Sequence, residues 1–346
     1  MTEAADAWHS VGNLAPLIWL ASLALCALLI AVLMPLFRNF ALAVPTSRSS
    51  HGAPTPQWGG LAVVSATLAV AAPVWLAGQL LGSHTGADAY LVLLGALGLV
   101  VLGAADDMLN LGAVTKLVAQ TVAIIVMLAA LPDDMRIVPL VPQAIERGLL
   151  FFGVLWFVNL VNFMDGIDWM MVAEVVPVTV GIALIGALGA LPPDALVLAL
   201  ALNGAMLGFA PFNRPVARLF MGDMGSLPIG LILAWLLLLV ASSGHLVAAV
   251  LLPLYFIADA SVTLLRRLRA GERVWEAHRT HFYQRARDGG FITIEIVGRV
   301  FAVNLGLVGL AVLSVVAQSS WAGPLAFLSG LCLVAWLIIG FARGRQ

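Results

Sequence analysis

The chain has 346 residues, of which 62% are hydrophobic and only 10% are charged. Soluble domains contain about 45–50% apolar and about 25% charged residues, so 17 basic and 18 acidic side chains are too few for a water-exposed surface. This balance excludes an ordinary soluble enzyme and a disordered chain. The net charge of −1 excludes binding to nucleic acid through a strong positive field, and no nucleic-acid partner is expected.

Long, continuously apolar runs recur along the chain, and a membrane-crossing helix needs roughly 20 such residues. A transmembrane β-barrel would show alternating segments of about ten residues instead. The sequence therefore predicts an all-α, polytopic integral membrane protein with about 11 transmembrane helices, folded as one domain over 1–346. The predicted spans lie near 14–37, 59–81, 89–105, 113–131, 146–163, 169–189, 194–211, 225–243, 246–265, 296–317 and 322–341.

The positions of lysine and arginine predict the orientation of these spans. Of the 17 cations, only Arg136 and Arg147 fall on one side of the membrane, and the other 15 lie on the opposite side or at helix ends facing it. Because positive loops stay in the cytoplasm, we expect the N-terminus outside and the C-terminus in the cytoplasm. The predicted cytoplasmic loops are near 38–58, 105–116, 163–168, 212–224 and 266–295.

Four groups of polar residues meet at this predicted cytoplasmic face. Each has a plain structural interpretation, such as a solvated helix end, a turn, or an amide bond between helices. Together they favour a functional site, because a carboxylate at membrane depth costs at least about 2.5 kcal/mol. The groups are Asp106 and Asp107 after the third span, Asn159, Asn162, Asp165 and Asp168 at the end of the fifth, Asp223 before the eighth, and His278 with His281 in the last loop.

The residue types in these groups indicate metal and phosphate chemistry. Carboxylate and amide oxygens without thiolates favour Mg²⁺, with Mn²⁺ as an alternative, over zinc. Magnesium takes one or two carboxylates and leaves positions for substrate phosphates, which the single lysine, Lys116, could also hold. Ser226 could cap the eighth helix and turn its positive N-terminus towards the same site. The pattern predicts phosphoryl transfer between a soluble nucleotide and a lipid.

At these residues the sequence resembles the polyprenyl-phosphate N-acetylhexosamine-1-phosphate transferases of glycosyltransferase family 4. That family starts the lipid intermediates of O-antigen, teichoic acid and peptidoglycan. Five motifs occur in the order of the family, from Arg48 to Arg287. They are RSSHGAPTPQWGG (48–60), GAADDMLN (103–110) with Lys116 and Gln120, NLVNFMDGID (159–168), FNRPVARLFMGDMGSL (212–227) and HRTHFYQR (278–285).

The resemblance implies an enzyme of the bacterial inner membrane with its active site on the cytoplasmic face. A UDP-N-acetylamino sugar would give its sugar-1-phosphate to undecaprenyl phosphate and release UMP, with a homodimer as an open alternative for the assembly. By motif match, the catalytic residues would be Asp106, Asp107, Asp165, Asp168, His278 and His281, the substrate-binding residues Lys116, Asn159, Asn162, Arg48, His51 and Arg279, and the metal ligands Asp223 and Asp107.

Several positions depart from the common family pattern. Gln57 and Trp58 stand where Arg and Gly are usual, Trp169 where Gly is frequent, and Asn110 where Asp is common. The histidine motif HRTHFYQR resembles the subgroup that initiates O-antigen, some of whose members use N-acetylfucosamine or N-acetylquinovosamine. We therefore expect initiation of O-antigen or a related surface polysaccharide, and muramoyl-pentapeptide is the less expected donor.

Two other classes compete with this interpretation. An ion-coupled secondary transporter also uses intramembrane carboxylates, but it places them near mid-membrane and commonly contains an inverted repeat, which is not evident here. A structural protein that has lost catalysis is the second, with Asn110 and Trp169 as its warning signs.

Asp259 also leaves two interpretations open. It lies two helical turns before Arg266, so it could form a charge pair there or support the site.

Overall fold

The computed structural model describes residues 2–40, 42–43, 54–80, 89–129, 131–132, 134–273, 278–317 and 319–345. In this part of the chain a two-residue antiparallel pair, β1 with β2, is the only strand structure, and the all-α class is confirmed. The elements are α1 (Thr2–Phe40), β1 (Leu42–Ala43), β2 (Thr55–Pro56), α2 (Gly59–Leu80), α3 (Ala89–Leu109), α4 (Ala113–Ala129), α5 (Gln143–Met164), α6 (Met170–Ile185), α7 (Pro193–Phe209), α8 (Asp223–Val240), α9 (Leu246–Leu251), α10 (Leu254–Arg269), α11 (Phe282–Asp288), α12 (Thr293–Val316) and α13 (Ala322–Arg343).

Eight stretches among the described residues are long and apolar enough to cross a membrane, so the chain is a multi-pass membrane protein. The helices α4 and α7 are apolar but shorter, at 17 residues each. The count of 11 spans and their orientation therefore stay predictions. The eight stretches are Gly12–Asn39, Gly59–Gln79, Ala89–Leu109, Gln143–Met164, Met170–Ala190, Asp223–Leu251, Thr293–Val316 and Ala322–Arg343.

The span predicted over 246–265 is wrong as one continuous helix. It is divided into α9 and α10, which are separated by Leu252 and Pro253. Proline has no backbone N–H and cannot continue the hydrogen-bond ladder of a helix. The apolar stretch Asp223–Leu251 contains both α8 and α9, and a kink at Gly244, whose φ is +87°, separates the two helices.

The helix α8 forms the centre of the bundle, because it is apolar on every side and nearly all of its residues are buried. Its first turn contacts α2 and α3 backbone to backbone. A Cβ atom at Gly60 would lie 2.1 Å from the Cα of Gly225, and one at Gly103 would lie 2.4 Å from the backbone nitrogen of Met224. These two approaches fix the N-terminus of α8, where Asp223 begins the helix, against the last turns of α3.

The polar groups singled out from the sequence lie at one end of this bundle. There α3 ends and α4 begins, α5 ends and α6 begins, and α8 starts with Asp223. The helix α10 also ends there, and the histidine motif follows it. Arg136 belongs to a separate loop between α4 and α5, where its Nε donates to Glu146 Oε2 at 2.5 Å. Glu146 also accepts from the backbone of Ile137 and Val138, so this pair organises its own loop.

Candidate active site

Asp106 occupies the last turn of α3 and binds the start of α4. Its Oδ2 accepts a hydrogen bond from Lys116 Nζ at 2.8 Å, and its Oδ1 accepts from the backbone nitrogen of Leu111 at 2.9 Å. Asn110, at a φ of +50°, makes the tight turn between the two helices. Asparagine tolerates this left-handed conformation better than most residues. The turn therefore brings the lysine onto the carboxylate.

Asp107, the next residue, receives its hydrogen bond from a different direction. The indole Nε1 of Trp58 donates to Asp107 Oδ2 at 2.6 Å, and the indole packs edge-on against the Phe37 ring at 6.3 Å. Trp58 has a φ of +76°, which is strained for a side chain of this size. The sequence marked Trp58 as a departure from the family pattern, but no signal in the sequence identified it as a partner of Asp107.

Asp223 is the first residue of α8 and is held by α5. Asn162 Nδ2 donates to Asp223 Oδ1 and to Ser226 Oγ, both at 2.8 Å. The expected capping role of Ser226 is wrong, because the N-cap is Gly222 and Ser226 already lies inside the helix. A helix that starts at the aspartate places its positive end directly beside that carboxylate.

The side chains of Asp106, Asp107 and Asp223 form one acidic cluster. Asp223 and Asp107 interact electrostatically with each other and with Asp106, and Lys116 acts on the cluster as a counter-charge. Among the residues that the structure describes, three carboxylates against one ammonium leave an excess of two negative charges. Such an excess at partly buried positions favours a bound cation.

The donor set of this cluster fits a magnesium ion. Among the described residues, no group of three or more Asp, Glu, His or Cys side chains is arranged as a complete protein cage for a metal. Magnesium does not require one, because it commonly binds one or two carboxylates together with water and substrate phosphates. Asp107 and Asp223 supply two such carboxylates, from different helices, with the oxygen ligands that Mg²⁺ prefers.

Asp165 and Asp168 follow α5 and have different surroundings. Burial, together with the charges of Asp223 and Asp168, raises the pKa of Asp165 well above its ordinary value. Asp168 is 6% exposed, and its Oδ2 accepts from the backbone nitrogen of Ala217 at 3.0 Å. In this structure Asp165 adjoins the acidic cluster, whereas Asp168 anchors the loop that leads into α8.

Trp169 anchors the same loop from the other side. Its backbone nitrogen donates to Asn213 Oδ1 at 2.8 Å, and its indole Nε1 donates to the carbonyl oxygen of Ala210 at 2.6 Å. Like Trp58 and Asn110, Trp169 has a positive φ, and these are the non-glycine residues of the described chain that do so. All three border the site, so the strained backbone is concentrated there.

Asn159 takes a structural position. Its Nδ2 donates to Gln120 Oε1 of α4 and to the carbonyl oxygen of Leu155, both at 2.8 Å. The contact joins α4 to α5, as the plain interpretation of an amide between helices expects. The two candidates of the first loop, Arg48 and His51, lie outside the described residues.

The histidine motif is organised by Asp259, which is completely buried in α10. Asp259 Oδ1 lies 3.2 Å from His281 Nδ1, and its two oxygens accept from the backbone nitrogens of Phe282 and Tyr283 at 3.0 and 3.2 Å. Tyr255 and Thr263 donate their hydroxyl groups to the same carboxylate. Asp259 therefore fixes both the imidazole of His281 and the first turn of α11.

Arg266 is not the partner of Asp259 in this structure. Its guanidinium donates to the carbonyl oxygen of Thr280 at 2.5 Å and lies over the Phe282 ring, 5.2 Å from the ring centroid. The charge pair between Asp259 and Arg266 that the sequence allowed is therefore not formed. Arg266 contacts Thr280 and Phe282 instead. Both contacts hold the same histidine segment.

The histidine motif also contacts the last turn of α5 and the segment that follows it. The hydroxyl of Tyr283 donates to the carbonyl oxygen of Phe163 at 3.2 Å, and a Cβ at Gly166 would lie 2.0 Å from that hydroxyl. His278 stacks on His281 with ring centroids 4.8 Å apart. Burial and the neighbouring His281 lower the pKa of His278 to about 4. Arg279 faces Asp288 at 3.8 Å.

These contacts define a class of protein: a multi-pass membrane protein with an acidic cluster, a lysine and a buried histidine motif at one end of its bundle. The model of glycosyl transferase family 4 matches residues 89–241. The chain is 30% identical over 283 residues to the decaprenyl-phosphate N-acetylglucosaminephosphotransferase of Mycobacterium tuberculosis (strain ATCC 25618 / H37Rv), which covers 71% of this chain and 68% of that protein.

Two other relatives have names that describe related transferases. The probable undecaprenyl-phosphate N-acetylglucosaminyl 1-phosphate transferase of Bacillus subtilis (strain 168) is 26% identical over 80% of this chain and 81% of its own length. A phospho-N-acetylmuramoyl-pentapeptide-transferase of Synechococcus sp. (strain JA-3-3Ab) is 30% identical over 82% of this chain and 87% of its own length. The chain belongs to the polyprenyl-phosphate N-acetylhexosamine-1-phosphate transferase family. The comparisons give no support to the transporter alternative.

Proposed function

We propose that the protein transfers an N-acetylamino-sugar-1-phosphate from a UDP-sugar to undecaprenyl phosphate and releases UMP. The observation that carries the proposal is the acidic cluster of Asp106, Asp107 and Asp223, with Lys116 beside it. Asp165 and the segment after α5 connect this cluster to the histidine motif. One end of the bundle thus offers carboxylates for a metal and cations for phosphates.

Asp107 and Asp223 would hold Mg²⁺. A divalent cation held by these two residues would supply charge neutralisation for phosphate oxygens. Asn162 keeps Asp223 in place from α5, and Trp58 keeps Asp107 in place from the segment before α2. Because these supports come from separate elements, each carboxylate keeps its position although the two charges repel each other.

The reaction would be a direct in-line displacement. A phosphate oxygen of undecaprenyl phosphate attacks the phosphorus that carries the sugar, the bond from that phosphorus to the oxygen of UMP breaks, and UMP leaves with the electron pair. The lipid phosphate is already anionic near pH 7, so a strong general base is unnecessary. Asp106 accepts hydrogen bonds from Lys116 and Leu111, so it would orient the lipid phosphate by holding the Lys116 ammonium towards it rather than by removing a proton.

The histidine motif would bind the donor. Asp259 holds His281 through Nδ1, which leaves Nε2 as the nitrogen available to a ligand. His278 stacks on this ring, and its low pKa keeps it neutral near pH 7, so it can interact with the sugar or diphosphate by hydrogen bonding. Arg279 adds a cation to the same loop. Positioning and charge neutralisation would supply most of the rate.

The expected donor is an amino sugar of a surface-polysaccharide pathway, with O-antigen initiation favoured by the form of the histidine motif. Trp169 stands next to Asp168 at a position where the family frequently has glycine, and its indole is fixed on Ala210. A bulky ring there restricts the space beside the nucleotide and sugar. The active site would face the cytoplasm of the bacterial inner membrane, where 15 of the 17 cations are predicted to lie.

The test is an assay of membranes that contain the protein, with undecaprenyl phosphate, Mg²⁺ and a panel of UDP-amino sugars. The panel contains N-acetylglucosamine, N-acetylfucosamine, N-acetylquinovosamine and muramoyl-pentapeptide donors. We expect UMP and a lipid-linked pyrophosphoryl sugar from one of them, and neither product from the Asp223→Ala variant. No product with any donor, or product unaffected by Asp223→Ala, would overturn the proposal.

A further inference from the structure

A cavity of about 360 Å³ lies between the ends of α12 and α13, and none of the proposed active-site residues lines it. Three of its lining residues are arginines, Arg299, Arg343 and Arg345, and one is acidic, Glu295. The lining therefore has a formal charge of +2. A cavity with this balance favours an anionic ligand.

Arg299 and Arg345 are held by the fold around the cavity. The guanidinium of Arg299 lies 4.5 Å from the centroid of the Phe291 ring, which packs edge-on against Phe341. The backbone nitrogen of Arg345 donates to the carbonyl oxygen of Gly289 at 2.8 Å, so the chain after α13 is fixed to the end of α11. One aromatic ring, that of Phe291, lines the cavity together with the charged side chains.

Two of the three arginines carry a charge that no described residue neutralises. Arg345 forms an ion pair with Glu295, with 3.3 Å between Nη1 and Oε2. No other cation among the described residues pairs with that carboxylate. Within the same residues, Arg343 has no ion-pair or hydrogen-bond partner, and Arg299 has only the aromatic contact. Two guanidinium groups are therefore free to bind the oxygens of one phosphate, which their planar donors fit well.

The position of the cavity favours a phosphate that belongs to a membrane lipid over a phosphate free in solution. Arg343 ends the 22-residue apolar stretch of α13, which places the cavity at the boundary between hydrocarbon and water. Ile339 and Trp336 lie one and two turns before Arg343 on the same side of α13, and they are 49% and 66% exposed. An exposed apolar strip therefore leads from the membrane interior to the arginines.

We propose that this cavity binds the anionic phosphate headgroup of a membrane lipid, whose acyl chains lie along Ile339 and Trp336. Basic pockets between membrane helices are suited to such headgroups. The lipid would brace the chain after α13 against the end of α11. Because α11 begins at the histidine motif, the bound lipid stabilises the part of the fold that carries His281.

The experiment uses the full-length protein purified in an uncharged detergent, with thermal unfolding and native mass spectrometry as readouts. The added probes are phosphatidylglycerol, phosphatidylcholine and inorganic phosphate. We expect phosphatidylglycerol to raise the unfolding temperature and to remain bound, whereas the other two have little effect. The variant Arg299→Gln/Arg343→Gln should need about 30-fold more phosphatidylglycerol for half of the effect, roughly five-fold for each arginine.

Two further variants make the result decisive. Arg343→Gln alone changes an exposed side chain that the fold does not use, so it should remain folded and show about a five-fold change. Arg269→Gln removes the same charge at the exposed end of α10, outside the cavity, and should behave like the unmodified protein. Equal effects of both lipids, an equal effect of inorganic phosphate, or unchanged lipid binding by Arg343→Gln and the double variant would each overturn the proposal.

Discussion

Two acidic regions lie at the same end of the molecule, and they differ in how their negative charge is satisfied. Asp259 is fully buried and accepts from five donors within the protein, two of them backbone nitrogens. In the acidic cluster, Asp107 and Asp223 each have one side-chain donor, Trp58 and Asn162 respectively. All of these donors to Asp259 belong to the protein, whereas in the part of the chain that the structure describes Lys116 balances only part of the negative charge of the acidic cluster.

This difference separates a positioning role from a ligand-binding role. A buried carboxylate that is saturated with donors contributes to the shape and stability of its surroundings. Neighbouring carboxylates with few donors repel one another until a cation joins them. Substitutions in the two regions should therefore have different consequences for stability and for activity, which can be measured separately.

The largest loss of activity is expected for Asp223→Asn. The substitution removes a proposed magnesium ligand, and we expect UMP release to fall at least about 100-fold. The unfolding temperature should stay the same or rise, because repulsion within the cluster is reduced. UMP release and thermal unfolding measured on the same preparation test both parts. A variant with near-normal turnover would contradict the assignment of Asp223.

A smaller loss of activity, combined with a loss of stability, is expected for Asp259→Ala. The backbone nitrogens of Phe282 and Tyr283 lose their acceptor, at a cost of about 1–3 kcal/mol for each buried donor. His281 also loses its orientation, so we expect activity to fall about 10–100-fold.

Thermal unfolding and UMP release check this result, and Asp259→Asn is the matched control for the Ala variant. The asparagine keeps one acceptor oxygen and should recover part of both losses. If the Asp259→Ala protein unfolds at the normal temperature, Asp259 does not stabilise the first turn of α11, and the prediction is wrong.

An effect of about ten-fold is expected for Trp58→Phe. The phenyl ring retains much of the packing against Phe37 but cannot donate to Asp107. Loss of a supporting hydrogen bond to a metal ligand commonly costs 10–100-fold in metal affinity or activity. The magnesium concentration for half-maximal activity should therefore rise about ten-fold. Trp321→Phe, at a side chain that is 70% exposed, is the control and should leave that concentration unchanged.

The smallest effect is expected from the titration of His278. Its pKa of about 4 lies below the ordinary value of 6.5, so the folded protein keeps it neutral from pH 8 down to about pH 5. The ratio of the activities of the unmodified protein and His278→Gln should therefore stay constant between pH 6 and pH 8. A ratio that changes around pH 6.5 would show that His278 titrates normally and is less buried than the structure indicates.

The helices could be predicted closely because an apolar run encodes a membrane-spanning helix directly. The span predicted over 296–317 is the helix Thr293–Val316, and the one over 59–81 is Gly59–Leu80. The placement of the polar groups at one end of the bundle could also be predicted, because successive spans cross the membrane in opposite directions. The division at Pro253 was missed because apolar residues continue on both sides of it.

The pairings within the site could not be predicted, because they depend on how separate helices pack. Trp58 and Asp107 are 49 residues apart, and Asp259 and His281 are 22 apart. The sequence placed Asp259 on the same face of its helix as Arg266. Only the folded chain shows that the carboxylate accepts from backbone nitrogens of the first turn of α11 instead of pairing with the Arg266 guanidinium. The charge pattern predicted the acidic cluster, whereas its supporting residues are known from packing alone.

The backbone contact between Gly60 and Gly225 limits which substitutions this chain can accept. With no room for a methyl group between α2 and α8, the end of the bundle that carries the acidic cluster cannot change by substitution at that contact without moving a helix. Residues that reach the site from its edges, such as Trp58 and Trp169, are under no such restriction. Changes of donor preference, natural or engineered, should therefore accumulate in these edge residues while the glycines stay the same.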